Sequence, residues 1–206
     1  MKKLIKFVFL FLVLFFVFKN QAWGLMASVF EVEDVKEENR PVFAGDVWRQ
    51  SFVSPQEEFG AVGIKVSNNN RLNDDFWIFR IKEEGQKDWY FETRKYVTDF
   101  QDEVFYPIGF PKFSNAKGKK FVFEIESEKG AEANQASIFL TLEDEYLEGE
   151  ASINGKKTKG DLVFSIYKET PAKELIKESI IQKLKKDPIF FFFWILILIP
   201  FIALLN

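Results

Sequence analysis

Side-chain catalysis needs a nucleophile, a base or a metal, and this chain carries few of the parts. It has no histidine and no cysteine. Zinc sites built on imidazole or thiolate are therefore excluded, as are Ser-His-Asp and Cys-His pairs. Carboxylate, lysine, tyrosine and Ser-Lys chemistry remains. Carboxylates cluster at Glu57-Glu58, Asp74-Asp75 and Glu143-Asp144-Glu145. A glycosidase needs two of them across a cleft, about 5–10 Å apart, one with a raised pKa. Adjacent carboxylates on polar stretches do not supply that arrangement and read as solvated turn charges. The chain reads as noncatalytic.

Two further constellations bear on binding. Residues 68–75, Asn-Asn-Asn-Arg-Leu-Asn-Asp-Asp, are dense in oxygen atoms that suit Ca²⁺. They lack the ordered spacing of an EF-hand loop, and a turn built on Asn and Asp side chains explains them equally well. No metal or cofactor is assigned. Trp48, Trp77 and Trp89 are the tryptophans of the middle of the chain, and Tyr90 adjoins the last of them. Trp77 lies in the most apolar run and reads as core. Trp89 and Tyr90 follow a charged turn and point to opposite faces of an extended chain, so one of them faces solvent. The expected binding set is Trp89 or Tyr90 as a stacking face for a sugar ring. Arg71, Asn73 and Asp74, on a loop expected to lie beside it, are the hydrogen-bonding groups.

These residues must be positioned by strands. Residues 47–168 show repeated period-two patterning. Phe121, Phe123 and Ile125 share one face while Glu124 and Glu126 face out. Val62, Ile64 and Val66 make a second set, Leu162, Phe164 and Ile166 a third, and Ile138, Leu140 and Leu142 a fourth. Residues 76–81 are apolar on both faces, as in an interior strand. Asn154-Gly155 marks a two-residue hairpin, because a type I′ turn needs positive φ at both positions. Pro107 and Pro111 restrict the 104–110 run to an edge or a bulge. About eight or nine strands with no helix between them predict an all-β, antiparallel, jelly-roll-like β-sandwich over residues 25–169.

The two ends belong to a different solvent class. Of 26 Phe, six fall in residues 1–24 and five in residues 189–206. Lys2, Lys3 and Lys6 precede a run of 12 apolar residues, Phe7 to Phe18. This is the pattern of a signal peptide cleaved after Gly24, or of an uncleaved N-terminal anchor. Residues 170–188 are expected to be a juxtamembrane helix, capped by Thr170 and amphipathic through Leu175, Ile176, Ile180 and Leu184. Residues 189–206 contain 17 consecutive uncharged residues, Ile189 to Leu205, the lower limit for a spanning helix. The lysines at the N-terminus predict a membrane-attached chain with its β domain outside the cytoplasm.

Residues 25–186 hold 24 Lys and Arg against 30 Asp and Glu, net −6. This balance argues against nucleic acid as a partner.

The order of motifs carries a resemblance. Trp48-Arg49-Gln50-Ser51-Phe52 is followed by Gly63-Ile64-Lys65-Val66, Arg71-Leu72-Asn73, the aromatic run 76–81 and Phe105-Tyr106-Pro107-Ile108. Ser114 to Lys119 then leads into Phe121 to Ser127, and Asn154-Gly155 precedes Gly160-Asp161-Leu162-Val163-Phe164. Over roughly residues 45–168 this resembles the extracytoplasmic jelly-roll accessory domains of bacterial envelope proteins. Those domains look similar to carbohydrate-binding modules and occur beside membrane glycosyltransferase-like regions. The resemblance implies a module that binds envelope glycan. The alternative it implies is a scaffold or accessory subunit of a membrane protein complex such as a glycosyltransferase.

Overall fold

The alternating runs fold as strands on both sides of one apolar core. The computed structural model describes residues 25–31 and 36–170. The expected N-terminal signal or anchor, the amphipathic stretch after Thr170 and the expected spanning segment lie outside the described residues. Twelve strands are described: β1 (Leu25–Glu31), β2 (Glu37–Pro41), β3 (Val47–Val53), β4 (Glu58–Ser67), β5 (Phe76–Glu83), β6 (Phe91–Tyr96), β7 (Val104–Ser114), β8 (Lys120–Ser127), β9 (Ser137–Thr141), β10 (Glu150–Ile153), β11 (Lys156–Lys157) and β12 (Phe164–Thr170). Thr170 is the last residue of β12, and the helix it is expected to cap lies outside the described residues. Among the described residues no helix is long and apolar enough to cross a membrane.

The strands form a β-sandwich of two sheets. One runs β1-β12-β4-β9-β2, with β7 also paired to β4; the other runs β11-β10-β3-β8-β5-β6. From β2 to β12 the chain changes sheet at every connection except the β5–β6 and β10–β11 hairpins. Residues Ser28–Lys168 form one compact unit.

The period-two sets meet between the sheets. Phe121, Phe123, Ile125, Leu162, Phe164 and Ile166 are all buried, as are Val62, Ile64 and Val66. Rings bridge the two layers: Phe164 lies 5.7 Å from Phe52 and 5.6 Å from Phe123, and Phe59 lies 4.9 Å from Phe121. Asn154 and Gly155 have φ of 49° and 76°, as a type I′ turn requires, between Ile153 and its partner Lys156. β7 pairs with β4 alone among the described strands, which accommodates Pro107 and Pro111, since a proline nitrogen has no proton to give to a second neighbour.

Three expectations are corrected. Leu142 lies past the end of β9 and is 39% exposed, so only Ile138 and Leu140 of that set reach the core. β5 is flanked by β8 and β6, yet it buries one face only: Trp77, Phe79 and Ile81 point inward while Phe76, Ile78 and Arg80 are half-buried. Glu124 does face away from the core, but Arg49 and Arg80 close over it and leave its side chain 7% exposed. This pairing follows from register. Arg49, Glu124, Arg80 and Glu92 stand in one transverse row across β3, β8, β5 and β6, and directly opposed opposite charges favour the ladder.

A polar stitch crosses the core. Gln50 points inward from β3 with no exposure. Its amide nitrogen donates to Asp161 Oδ1 at 3.0 Å, and its oxygen accepts from Leu162 N at 2.9 Å. The other Asp161 oxygen accepts from the backbone of Glu145 and Tyr146 at 3.1 and 3.0 Å. Burial pushes the Asp161 carboxyl up, the hydrogen bonds from Tyr146 and Gln50 oppose this, and Asp144 adds to the rise. The folded state therefore keeps this proton to higher pH than the unfolded chain does. The sign follows: this contribution to stability is full below the unfolded carboxylate range and is lost as pH rises through the raised folded value. Urea midpoints taken across the acid range should show that decline in the wild type. It should be missing from the slope of Asp161→Asn, whatever the variant's absolute stability. Identical slopes would assign the decline to other groups.

Candidate functional site

The structure separates the expected binding residues into two groups. Arg71, Asn73 and Asp74 precede β5, whereas Trp89 and Tyr90 lie beyond its far end, where Tyr90 N donates to Ile81 O at 3.0 Å. From Phe76 to Ile81 alone the strand spans roughly 17 Å at its ordinary rise. The loop is therefore not the neighbour of Trp89 and Tyr90, and the five residues do not converge. A hairpin returns the chain beside its own start only after both strands are complete, and β5 and β6 put these residues at opposite ends of the pair.

Within the first group the side chains hold protein. Asn73 is fully buried and donates to Asn68 O at 2.9 Å. Arg71 donates to Gln135 O at 3.1 Å. Asp74 is exposed and pairs with Lys129 at 3.5 Å. Asp75, expected among the solvated turn charges, is fully buried. Its carboxylate accepts from Phe76 N, Lys129 N and the Ser127 hydroxyl, each at 2.7 Å, and these three donors replace the water it has lost.

In the second group, Trp89 is half-buried with Lys82 Nζ 4.6 Å from its ring centroid. Tyr90 is 49% exposed. One face of its ring lies on Phe113 at 4.2 Å, and its hydroxyl donates to Lys112 O at 3.4 Å. Tyr90 is thus the solvent-facing member of the pair, a flat ring held from one side.

A surface cleft lies elsewhere, at the start of β7. A single 3-10 turn, Val97–Asp99, leads from β6, outermost in its sheet, to β7, the edge of the other. Against it opens a cleft of about 250 Å³ lined by Asp99, Gln101, Val104, Phe105, Tyr106 and Pro107. The asparagine-rich loop braces this turn. Asn68 donates to Phe100 O at 2.8 Å and Asn70 donates to Asp102 at 2.9 Å, with the Ser67 hydroxyl also on Asp102. Thr98 donates to Asn73 O at 2.8 Å, and Val97 N donates to Asp75 O at 3.1 Å. Asn69 and Asn70 take φ of 57° and 52°, a left-handed conformation that Asn tolerates better than most residues. The loop's amides and backbone carbonyls thus serve the wall of the cleft. Among the described residues no group of three or more ligating side chains could hold a metal ion.

Beneath the cleft, Phe100 is buried with its ring 5.0 Å from Trp77 and 4.6 Å from Tyr106. Burial, and then the charge of Asp99, push the Tyr106 phenol up, so at neutral pH it keeps its proton and can donate. Asp99 and Gln101 are exposed and make no hydrogen bond or ion pair among the described residues. The cleft therefore offers an apolar floor, a phenol donor, a carboxylate acceptor and an amide that both gives and accepts. Phe105-Tyr106-Pro107 belongs to the motif order that carries the resemblance, but nothing in the sequence marks Asp99 and Gln101, whose role depends on how the turn folds back.

No protein-family model matches this chain, and no curated protein is significantly similar to it.

Proposed function

We propose that the chain is a membrane-anchored, noncatalytic module whose β-sandwich, jelly-roll-like in its repeated sheet crossings, lies outside the cytoplasm and binds envelope glycan. The observation that carries this reading is the braced cleft of Asp99, Gln101, Phe105 and Tyr106. A pyranose has apolar C–H faces and a polar hydroxyl rim, and it fits a site that pairs aromatic surface with planar polar groups. Asp99 is the one carboxylate lining the cleft, and a single carboxylate does not make the acid–base pair of a glycosidase. The free face of Tyr90 sits toward the other end of β7, roughly 20 Å away by strand rise, where it adds a second contact for an extended polysaccharide.

The test is a titration of full-length chain in detergent micelles with envelope polysaccharides. Binding should be weak, on the order of millimolar, or about −4 kcal/mol, with no release of shorter products. Gln101→Ala with Tyr106→Phe should weaken it about tenfold, equivalent to about 1.4 kcal/mol. Tyr90→Ala should weaken binding of long chains more than of short ones. Absence of binding to any envelope glycan, together with a membrane protein that co-purifies, would replace this reading by that of a scaffold subunit. Digestion of the domain by protease added to intact spheroplasts is the matching test of topology; full protection would reverse it.

A further inference from the structure

Resting on the reading of the cleft as a glycan site, we propose that it selects sugars bearing a free, protonated amine over their N-acetylated, unsubstituted and acidic counterparts. The argument is electrostatic. Asp99 is the one charged residue lining the cleft, and no lysine or arginine lines it. Asp99 has no ion-pair partner among the described residues. The same turn continues into Asp102 and Glu103, two more acids. The base across the β4–β7 register, Lys65 opposite Phe105, is committed elsewhere. Its ammonium pairs with Glu37 and sits 5.1 Å from the Phe139 ring centroid, with its side chain 14% exposed. A uronate or phosphate entering the cleft thus meets like charge, with no base among the lining residues. An ammonium meets a carboxylate whose position is set by a braced turn, with no competing partner to displace.

Geometry assigns the remaining contacts. Phe105 and Pro107 supply apolar surface for the C–H face of the ring, and the protonated Tyr106 hydroxyl and the Gln101 amide reach ring hydroxyls. The volume of about 250 Å³ sits below the usual range for drug-sized ligands, which suits one sugar unit or a chain end. An acetyl group removes the charge and adds bulk, and a hydroxyl in the amine's place keeps the fit but loses the ion pair.

The experiment compares oligosaccharides that share one backbone: a β-1,4-linked glucosamine tetramer, its N-acetylated form, the unsubstituted glucan and a uronate tetramer. Each is titrated into the full-length chain in detergent micelles by ligand-observed NMR. The glucosamine tetramer should bind about fivefold more tightly than the glucan, the upper range for a partly exposed ion pair. That margin should shrink at high salt, as screening of an exposed charge requires. The uronate should bind weakest. In Asp99→Asn, with an unchanged melting temperature, glucosamine should fall to the level of the glucan. Equal binding of glucosamine and glucan by the wild type would overturn the selectivity and leave the glycan site standing. Persistence of the preference in Asp99→Asn would overturn the role given to this carboxylate. Failure of all four to bind would overturn both the selectivity and the glycan reading.

Discussion

Gly160→Ala should leave no stably folded domain, a loss beyond about 4 kcal/mol and among the most severe single changes. A Cβ at this position would lie 1.8 Å from Thr141 O, 2.6 Å from Thr141 C and 2.8 Å from its Oγ1. The atoms it meets are mostly backbone, and that backbone is fixed from both sides. Thr141 N donates to Asp161 O at 2.9 Å, Val163 N donates to Phe139 O at 2.8 Å, and Asp161 N donates to the Thr141 hydroxyl at 2.9 Å. Moving residue 160 away would also pull Asp161 from Gln50 and open the polar stitch across the core. Gly85→Ala is the matched control. It has φ of 88° and nothing within 4 Å of the added carbon, so it should cost only the left-handed strain, about 1–2 kcal/mol. Circular dichroism and urea unfolding of the two variants decide the matter. A Gly160→Ala protein with a cooperative transition within about 1 kcal/mol of wild type would mean that this crossing is looser than described.

Phe123→Ala should cost about 3–5 kcal/mol, the usual range for truncating a buried phenylalanine. Phe123 has no exposure and sits at the centre of the aromatic packing, 6.2 Å from Phe52, 5.9 Å from Phe79 and 5.6 Å from Phe164. Neighbours on two sheets held by separate hydrogen-bond ladders cannot all move in to fill the space. Phe123→Leu keeps much of the volume and should cost markedly less. The measurement is the urea midpoint at constant m-value. A loss below about 1 kcal/mol for the alanine variant would show that the core closes around the void.

Much of this core was legible from the chain because burial on one face leaves a period of two. Phe121, Phe123 and Ile125 are read that way, as are Val62, Ile64 and Val66, and the Asn154-Gly155 turn is dictated by backbone sterics. The pattern is less informative where burial comes from partners instead of the core. Glu124 alternates as a surface residue should, yet two arginines from neighbouring strands cover it. Asp75 and Asp161 look like turn acids, and only the tertiary fold brings the backbone donors that allow them to be buried. The candidate site was harder still. Trp89 and Tyr90 follow a charged turn, and one ring, that of Tyr90, faces solvent. The loop of Arg71, Asn73 and Asp74 was paired with them by proximity in the chain, and a complete β-hairpin turns that proximity into separation. The same loop instead braces the turn that carries Asp99 and Gln101, about 30 residues further along.

The alternation of the chain between sheets also sets a timetable for folding. Phe164 pairs with Ile64, and Glu150 pairs with Ser51, each across about a hundred residues. β4 meets β12 on one side only after the entire intervening chain exists. Contacts this remote in sequence bring no return until a long loop has closed, which places such folds on the order of milliseconds to seconds and not microseconds. A nascent chain can pair β4 with β7 and β9 early, but it cannot complete this sandwich until residues 164–170 arrive to close the sheet.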